Sequence, residues 1–305
     1  MSNETGKGYV MALGFFDGVH KGHAELIKMA KFRARELNAS PAVLSFDTSP
    51  ESVITGRSVP LIGSAKTRAD TIRRVHGVEN VIFYHFDREV MAMPWKVFLQ
   101  SLVDDYSVIH LVIGHDFHCG YKGEGSPERI LAYCGELGIG CDVIEKFTLD
   151  GVTVSSTYIK NLIAEGNIER ANYFLGHPYV FSGTVREGFK VGRGLGAPTI
   201  NLSCSGDLVL PAKGVYATEV LLQGEGDEGG KPAVTNVGIR PTFGDSDEIS
   251  MESFILDFDN DLYGEFVSVK FHKFLRPERK FENPKELSEQ IARDIKAAKA
   301  YWDGG

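Results

Sequence analysis

Positive charge, cysteine, tryptophan and long apolar runs are all scarce in this chain. Its 33 Lys and Arg are outweighed by 41 Asp and Glu, for a formal net charge of −8. That balance argues against a broad nucleic-acid-binding or anionic-membrane surface, while leaving room for a local basic pocket. The four cysteines, Cys119, Cys134, Cys141 and Cys204, show no paired spacing, which excludes a disulfide framework and fits a reducing cytoplasm. Residues 1–8 are polar and carry no signal-peptide core, and no apolar stretch approaches the length of a membrane span. What is present is ordinary for a globular chain: 43% hydrophobic and 24% charged residues over 305 positions, enough for two domains that each bury a core.

Apolar, strand-like runs occur at 9–13, 42–46, 80–84, 108–114 and 141–146, and helical patterns separate them at 24–37, 64–75, 94–102 and 126–137. This alternation predicts an α/β fold with a doubly wound parallel sheet and ligands at the carboxyl ends of its strands. From about residue 179 the pattern changes to alternating residues and turns, with strands expected at 179–187, 214–222, 232–237, 250–258 and 265–274. Strands of this length need closure to hide their edges, so a small antiparallel β-barrel is expected, with domains at 1–178 and 179–305. Residues 223–230 have too little apolar content to pack and read as a hairpin tip. A closing helix is expected from Asn283-Pro284 to about Trp302, burying a stripe of Leu287, Ile291, Ile295 and Ala298.

Chemistry-bearing residues cluster at the ends of these runs. Gly14-Phe15-Phe16-Asp17-Gly18-Val19-His20-Lys21-Gly22-His23 follows the first strand, turns at Asp17-Gly18 and opens into a helix. His20 and His23 are expected to share a face of the first helical turn, where unpaired N–H groups and the positive dipole end favour an anion. Gly22 removes a side chain that would block its approach. An isolated pair of this kind also suits a capped helix start, but the stretch resembles the His-x-Gly-His nucleotidyltransferase superfamily. There the histidines bind the α-phosphate region of ATP and stabilise charge as pyrophosphate leaves. Gly14, Phe15, Asp17 and Gly22 are implied as nucleotide contacts.

Gly151 to Lys160 runs as a strand tail into Ser155-Ser156-Thr157 and a helix expected over 159–165. Such hydroxyls cap helices. The run also resembles the Ile-Ser-Ser-Thr-x-Ile-Arg motif of the same superfamily, whose hydroxyls and amides take the β- and γ-phosphates. Lys160 stands where that motif has Arg and lacks the planar fork. Gly114-His115-Asp116-Phe117-His118-Cys119-Gly120 resembles a segment of bacterial FAD synthetases bordering the adenine and flavin pockets, which implies flavin contacts at Asp116 and Phe117. Cys119 replaces the second Phe of that segment, and Ser49 replaces the His of a Phe-Asp-Pro-His-Pro motif at 46–50. His115, His118 and Cys119 crowd three donors into five residues and fit no usual zinc spacing.

The segment 188–201 sets four glycines ahead of Pro198-Thr199-Ile200-Asn201. It is neither a P-loop nor a dinucleotide fingerprint, and its glycines alone suit a hairpin. It resembles the Pro-Thr-Ala-Asn motif and preceding phosphate flap of riboflavin kinases, implying nucleotide contacts at Gly188, Gly192, Arg193, Gly196 and Pro198. Thr199 and Asn201 offer hard oxygens suited to Mg²⁺. Glu252 matches the catalytic Glu of that family, Phe254 takes the place of its usual His, and Asn236 and Arg240 are the residues expected to reach flavin.

From about Tyr9 to Trp302 the order of motifs resembles the prokaryotic bifunctional riboflavin kinase and FAD synthetase (FMN adenylyltransferase) family. The resemblance implies two ATP- and Mg²⁺-dependent reactions, riboflavin to FMN and FMN to FAD, with riboflavin, FMN and ATP as partners. It implies no nucleic acid and no membrane, and it leaves the oligomeric state open. A chain with one activity, adenylylation being weak or lost, and a non-enzymatic flavin or nucleotide sensor are the alternatives. Paired histidines together with a base speak against the sensor.

Overall fold

Tyr9–Leu13 (β1) is buried along its whole length because its alternate side chains feed two different cores. Tyr9, Met11 and Leu13 join one apolar cluster, and Val10 and Ala12 join the other. A strand covered on both faces reads as a continuous apolar run, which is the signature of a central parallel strand. The computed structural model describes residues 8–186, 199–203, 207–223, 229–240, 248–258 and 260–303, and only the backbone of Ile239, Arg240 and Glu248. These residues form two compact units, 1–156 and 157–305.

In the first unit, β1 pairs in parallel with Ser40–Phe46 (β2) and Val108–Gly114 (β4). Asn80–Tyr84 (β3) and Gly140–Ile144 (β5) complete a sheet of order β3-β2-β1-β4-β5. Lys21–Leu37 (α1) and Ala65–His76 (α3) cover one face through Ile27, Ala30, Ala34 and Ile72. Trp95–Tyr106 (α5) and Pro127–Leu137 (α6) cover the other through Leu99, Leu102 and Ile130. This is the expected doubly wound sheet. The order reverses at β1 and β4, so the crevice beyond their carboxyl ends lies where the motifs at 14–23 and 114–120 begin. Two short helices, Pro50–Thr55 (α2) and Arg88–Ala92 (α4), were not legible from periodicity because each is little more than a turn. The hairpin of Thr148–Leu149 (β6) and Val152–Thr153 (β7) precedes the helix Ser156–Ala164 (α7).

The second unit takes most of α7, the helix Ile168–Leu175 (α8) and a closed antiparallel barrel. Its strands are Tyr179–Arg186 (β8), Thr199–Ser203 (β9), Gly214–Leu222 (β10), Lys231–Arg240 (β11), Glu248–Ile255 (β12) and Phe266–Pro277 (β13). Their order is β10-β11-β12-β9-β8-β13. Alternation sends Tyr216, Thr218, Thr235 and Ser253 inward, where hydroxyl contacts of 2.7 Å link Thr218 to Thr235 and Thr235 to Ser253. The opposite face of the wall carries Val215, Ala217 and Val234, which pack with Ala298 of the closing helix Pro284–Asp303 (α9).

The expected buried stripe of α9 needs correction. Of Leu287, Ile291, Ile295 and Ala298 only Ala298 is fully buried, and the other buried positions are the polar Gln290 and Asp294. Leu287, Ile291 and Ile295 instead line a cavity of about 240 Å³ that α9 leaves open against the barrel wall. The helix is fastened by charge: Arg276 donates to both carboxylate oxygens of Asp294 at 2.7–3.1 Å, and Gln290 donates to Asp294 Oδ1 at 2.7 Å. Replacing Asp294 by Ala leaves a mostly buried guanidinium without its partner and is expected to destabilise the second unit by about 3 kcal/mol, read from denaturant unfolding.

Candidate functional site

The loop after β1 is held in an unusual shape. Phe16 and Val19 both adopt left-handed backbone (φ 56° and 45°), around a turn at Asp17–Val19 in which Gly18 has φ 76°. Non-glycine residues in this region are strained and persist only when the surroundings enforce them. The enforcement is visible: the buried Asp17 carboxylate accepts the N–H groups of Ile62 and Gly63 at 2.8 and 3.3 Å.

The helix α1 starts three residues earlier than the apolar pattern predicts, at Lys21, because His20 is its cap. His20 Nδ1 accepts the His23 N–H at 3.2 Å, which leaves the His20 proton on Nε2. The two imidazoles stack at 3.6 Å between centroids and 9° between planes. A side chain at Gly22 would press on the His20 ring at 3.2 Å, so the space beside Gly22 belongs to that imidazole. His23 is held well below the usual imidazole range by burial first, then by His20, Arg68 and His76, and its Nδ1 is buried with no hydrogen-bond partner among the described residues. His23 is therefore neutral at physiological pH.

The hydroxyl motif arrives at the same place. Ser156, the first residue of α7, donates its Oγ to the Asp17 carbonyl at 3.0 Å, across 139 positions of sequence. The helix begins there rather than at 159, so Ser155 and Ser156 stand at its N-terminal end, with Thr157 and Lys160 following along it in the second unit. The bond sets Ser156 beside the turn that leads into His20.

Other expected residues lie at neighbouring strand ends. Asp116 follows β4 and is exposed, with its carbonyl 3.0 Å from His118 Nδ1, while Phe117 packs against the α5 and α6 side of the sheet. Cys119 is buried, its thiol pushed up to about 12 by desolvation, as suits a packing residue. At the ends of β2 and β3, Asp47 Oδ2 meets His85 Nδ1 at 2.8 Å. Burial alone would raise Asp47, but the hydrogen bonds from His85 and the Phe86 N–H outweigh it and lower it, while the same pair raises His85. Ser49 caps α2 in place of the imidazole expected there, accepting the Ser52 N–H.

In the barrel, strand register assembles the second cluster. Asn201 of β9 faces Glu252 of β12, which faces Asn236 of β11, which faces Val215 of β10, which faces Arg276 of β13. One row of side chains therefore crosses five strands on the wall under α9. Thr199, in register with Phe254, lies on the same face two residues from Asn201. Thr199, Asn236 and Glu252 line the cavity together with Phe254, Arg279 and Phe281, whereas Asn201 is buried in the wall. Gly188, Gly192, Arg193, Gly196 and Pro198, and the side chain of Arg240, fall outside the described residues.

Sequence reasoning missed Arg68, Ser45 and His85 in the first unit and Arg276 and Asp294 in the second. Arg68 carried a readable signal, a charge four residues before Ile72 on the apolar face of α3. The others become neighbours only through strand pairing.

Residues 2–158 match the FAD synthetase family and residues 175–302 match the riboflavin kinase family. A bifunctional riboflavin kinase/FMN adenylyltransferase from Listeria monocytogenes is 35% identical over 296 residues, covering 96% of this chain and 92% of its own. One from Bacillus subtilis is 34% identical over 297 residues, covering 96% and 92%. A crystal structure described as a macrolide-efflux protein from Streptococcus pneumoniae matches with a TM-score of 0.84 at 28% identity, over 98% of this chain and 96% of that one. Among the described residues of this chain no helix is long and apolar enough to cross a membrane.

The contrasting imidazoles give a direct test. In an NMR titration His23 is expected to stay neutral to well below the usual imidazole range, while His85 titrates above that range and returns towards it in Asp47→Asn. Because the folded pKa of His23 lies below its unfolded value, its contribution to stability is present at neutral pH and is lost as pH falls below about 6.5.

Proposed function

Because the chain belongs to the bifunctional riboflavin kinase/FMN adenylyltransferase family, we propose that its barrel phosphorylates riboflavin and its parallel-sheet unit adenylylates the resulting FMN. The observation that favours both activities over a kinase alone is the Ser156 to Asp17 hydrogen bond, which brings the first hydroxyl of α7 to the turn before the paired histidines.

In the adenylylation, the FMN phosphate attacks the α-phosphorus of ATP in line and pyrophosphate departs, with no protein nucleophile required. His20, with its proton on Nε2, and neutral His23 are the electrostatic contacts for the α-phosphate, and Ser155 and Ser156 take the β- and γ-phosphates through their hydroxyls and amides. Gly14, Phe15, Asp17 and Gly22 shape the loop against the nucleotide. Asp116 and Phe117 border the flavin, and Thr157 and Lys160 are assigned phosphate contacts by resemblance alone.

In the phosphorylation, Glu252 accepts the proton of the riboflavin 5′-hydroxyl as that oxygen attacks the γ-phosphorus. The apolar walls from Val215, Val234, Phe254, Phe281 and Ile291 suit a flat flavin ring, with Asn236 and Arg276 as polar contacts. Arg240 is assigned to flavin, and Gly188, Gly192, Arg193, Gly196 and Pro198 to the nucleotide, by the family resemblance. Thr199 and Asn201 fit Mg²⁺ by chemistry and placement, since both are hard oxygen donors on one face of β9 and Asn201 is in register with Glu252. The ion, when bound, neutralises phosphate charge. Free thiols at Cys119, Cys134 and Cys141 accord with a cytoplasmic setting.

Incubation with riboflavin, ATP and Mg²⁺, followed by chromatography over time, is expected to give FMN and then FAD with pyrophosphate. Absence of FAD from FMN and ATP would refute the adenylylation half. Glu252→Gln is expected to lower FMN formation at least about a hundredfold and to leave FMN adenylylation intact. Equal loss of both would mark a folding defect instead.

A further inference from the structure

We propose that Arg68 is a positioning residue for adenylylation, its buried guanidinium joining the carboxyl ends of β1 and β2 and setting the shape of the loop that receives the phosphates. The inference rests on the assignment of that loop to FMN adenylylation.

Arg68 lies on α3, outside every motif, and is 1% exposed. One guanidinium nitrogen donates to the Phe15 carbonyl at 2.6 Å and to Ser45 Oγ at 2.5 Å, and another donates to the Phe46 carbonyl at 2.9 Å. Ser45 Oγ also donates to the Phe15 carbonyl, at 2.8 Å. The guanidinium stacks 4.4 Å over the Phe15 ring and lies 5.3 Å from that of Phe83. These hydrogen bonds all go to neutral oxygens, and the compensating carboxylates, Asp17 and Asp47, act at longer range. A buried cation compensated so loosely is costly, and burial draws it down to about 10. An apolar side chain would fill the same space at less cost, so the charge and the fork serve something beyond packing.

Two consequences reach the site. First, with the Phe15 carbonyl drawn inward by two donors, the trans peptide turns the Phe16 N–H the opposite way, and Phe16 enters the left-handed conformation from which the turn to His20 begins. That N–H belongs to the loop assigned to the nucleotide above. Second, the Arg68 charge acts with burial, His20 and His76 to keep His23 neutral. The groups around His23 are thus His20 on the loop and Arg68 and His76 on α3, with the Asp17 carboxylate in the turn between. Removing the Arg68 charge lifts one of the repulsions that depress His23.

Full-length wild type, Arg68→Lys, Arg68→Met and Ser45→Ala separate these roles. FMN adenylylation is measured as kcat and KM for ATP from about pH 5.5 to 8.5, spanning the imidazole range, and riboflavin phosphorylation by the same chains reports folding. Arg68→Met is expected to lose at least about tenfold in kcat/KM for ATP, with phosphorylation near wild type and the acidic break of the profile displaced to higher pH. Arg68→Lys keeps the charge and therefore the wild-type break while losing the fork and part of the rate. Ser45→Ala loses rate without moving the break. Adenylylation unchanged in Arg68→Met, or a loss uniform across pH and matched in phosphorylation, overturns the proposal. Should Arg68→Met not fold, unchanged adenylylation in both Arg68→Lys and Ser45→Ala overturns it. Wild type that makes no FAD overturns the parent assignment and this inference with it, an outcome distinct from active wild type beside an unaffected Arg68→Met.

Discussion

A hydroxyl-to-carbonyl hydrogen bond of 3.0 Å, from Ser156 to Asp17, ties the turn after β1 to a residue 139 positions away. The bond also closes a chain of supports. Asp17 is anchored by the amides of Ile62 and Gly63, these lead into α3, and α3 returns Arg68 to the Phe15 carbonyl. The strained backbone at Phe16 and Val19 is sustained by this circuit.

The barrel solves a different problem, namely how to keep a reactive row and a packed interior on the same strands. Alternation does it: Met251, Ser253 and Ile255 are buried inside, while Glu252 and Phe254 stand on the wall that faces the cavity. A slip of one residue in β12 would exchange the two sets. The inner hydroxyl contacts among Thr218, Thr235 and Ser253 oppose such a slip, because any other register leaves buried hydroxyls unpaired. The register that packs the core is the one that lines Asn201, Glu252 and Asn236 in a row.

The two units treat buried arginine in opposite ways. Arg276 is matched by a bidentate carboxylate, Asp294, and its task is to hold α9 over the cavity mouth. Arg68 has only neutral oxygens as hydrogen-bond partners and acts on His23, so its charge is felt beside the loop. Pairing quenches a charge into a fastener, whereas leaving it loosely compensated makes it part of the local field.

Local sequence determined the kinds of element and the chemistry they carry. The apolar runs at 9–13, 80–84, 108–114 and 214–222 coincide with strands residue for residue, because strands buried on both faces or alternating in a barrel leave an unbroken period. The paired histidines and the Thr199 and Asn201 oxygens stand out because short spacing puts them on one turn or one strand face, whereas the serine pair and Glu252 were singled out by their match to family motifs. Tertiary structure alone decided that Arg68, from outside the motifs, reaches the Phe15 carbonyl, that His85 stands beside Asp47, and that the apolar stripe of α9 lines a cavity instead of closing it. Each of those depends on which distant segment arrives opposite a given residue, and pairing between remote segments leaves no periodic trace in the chain.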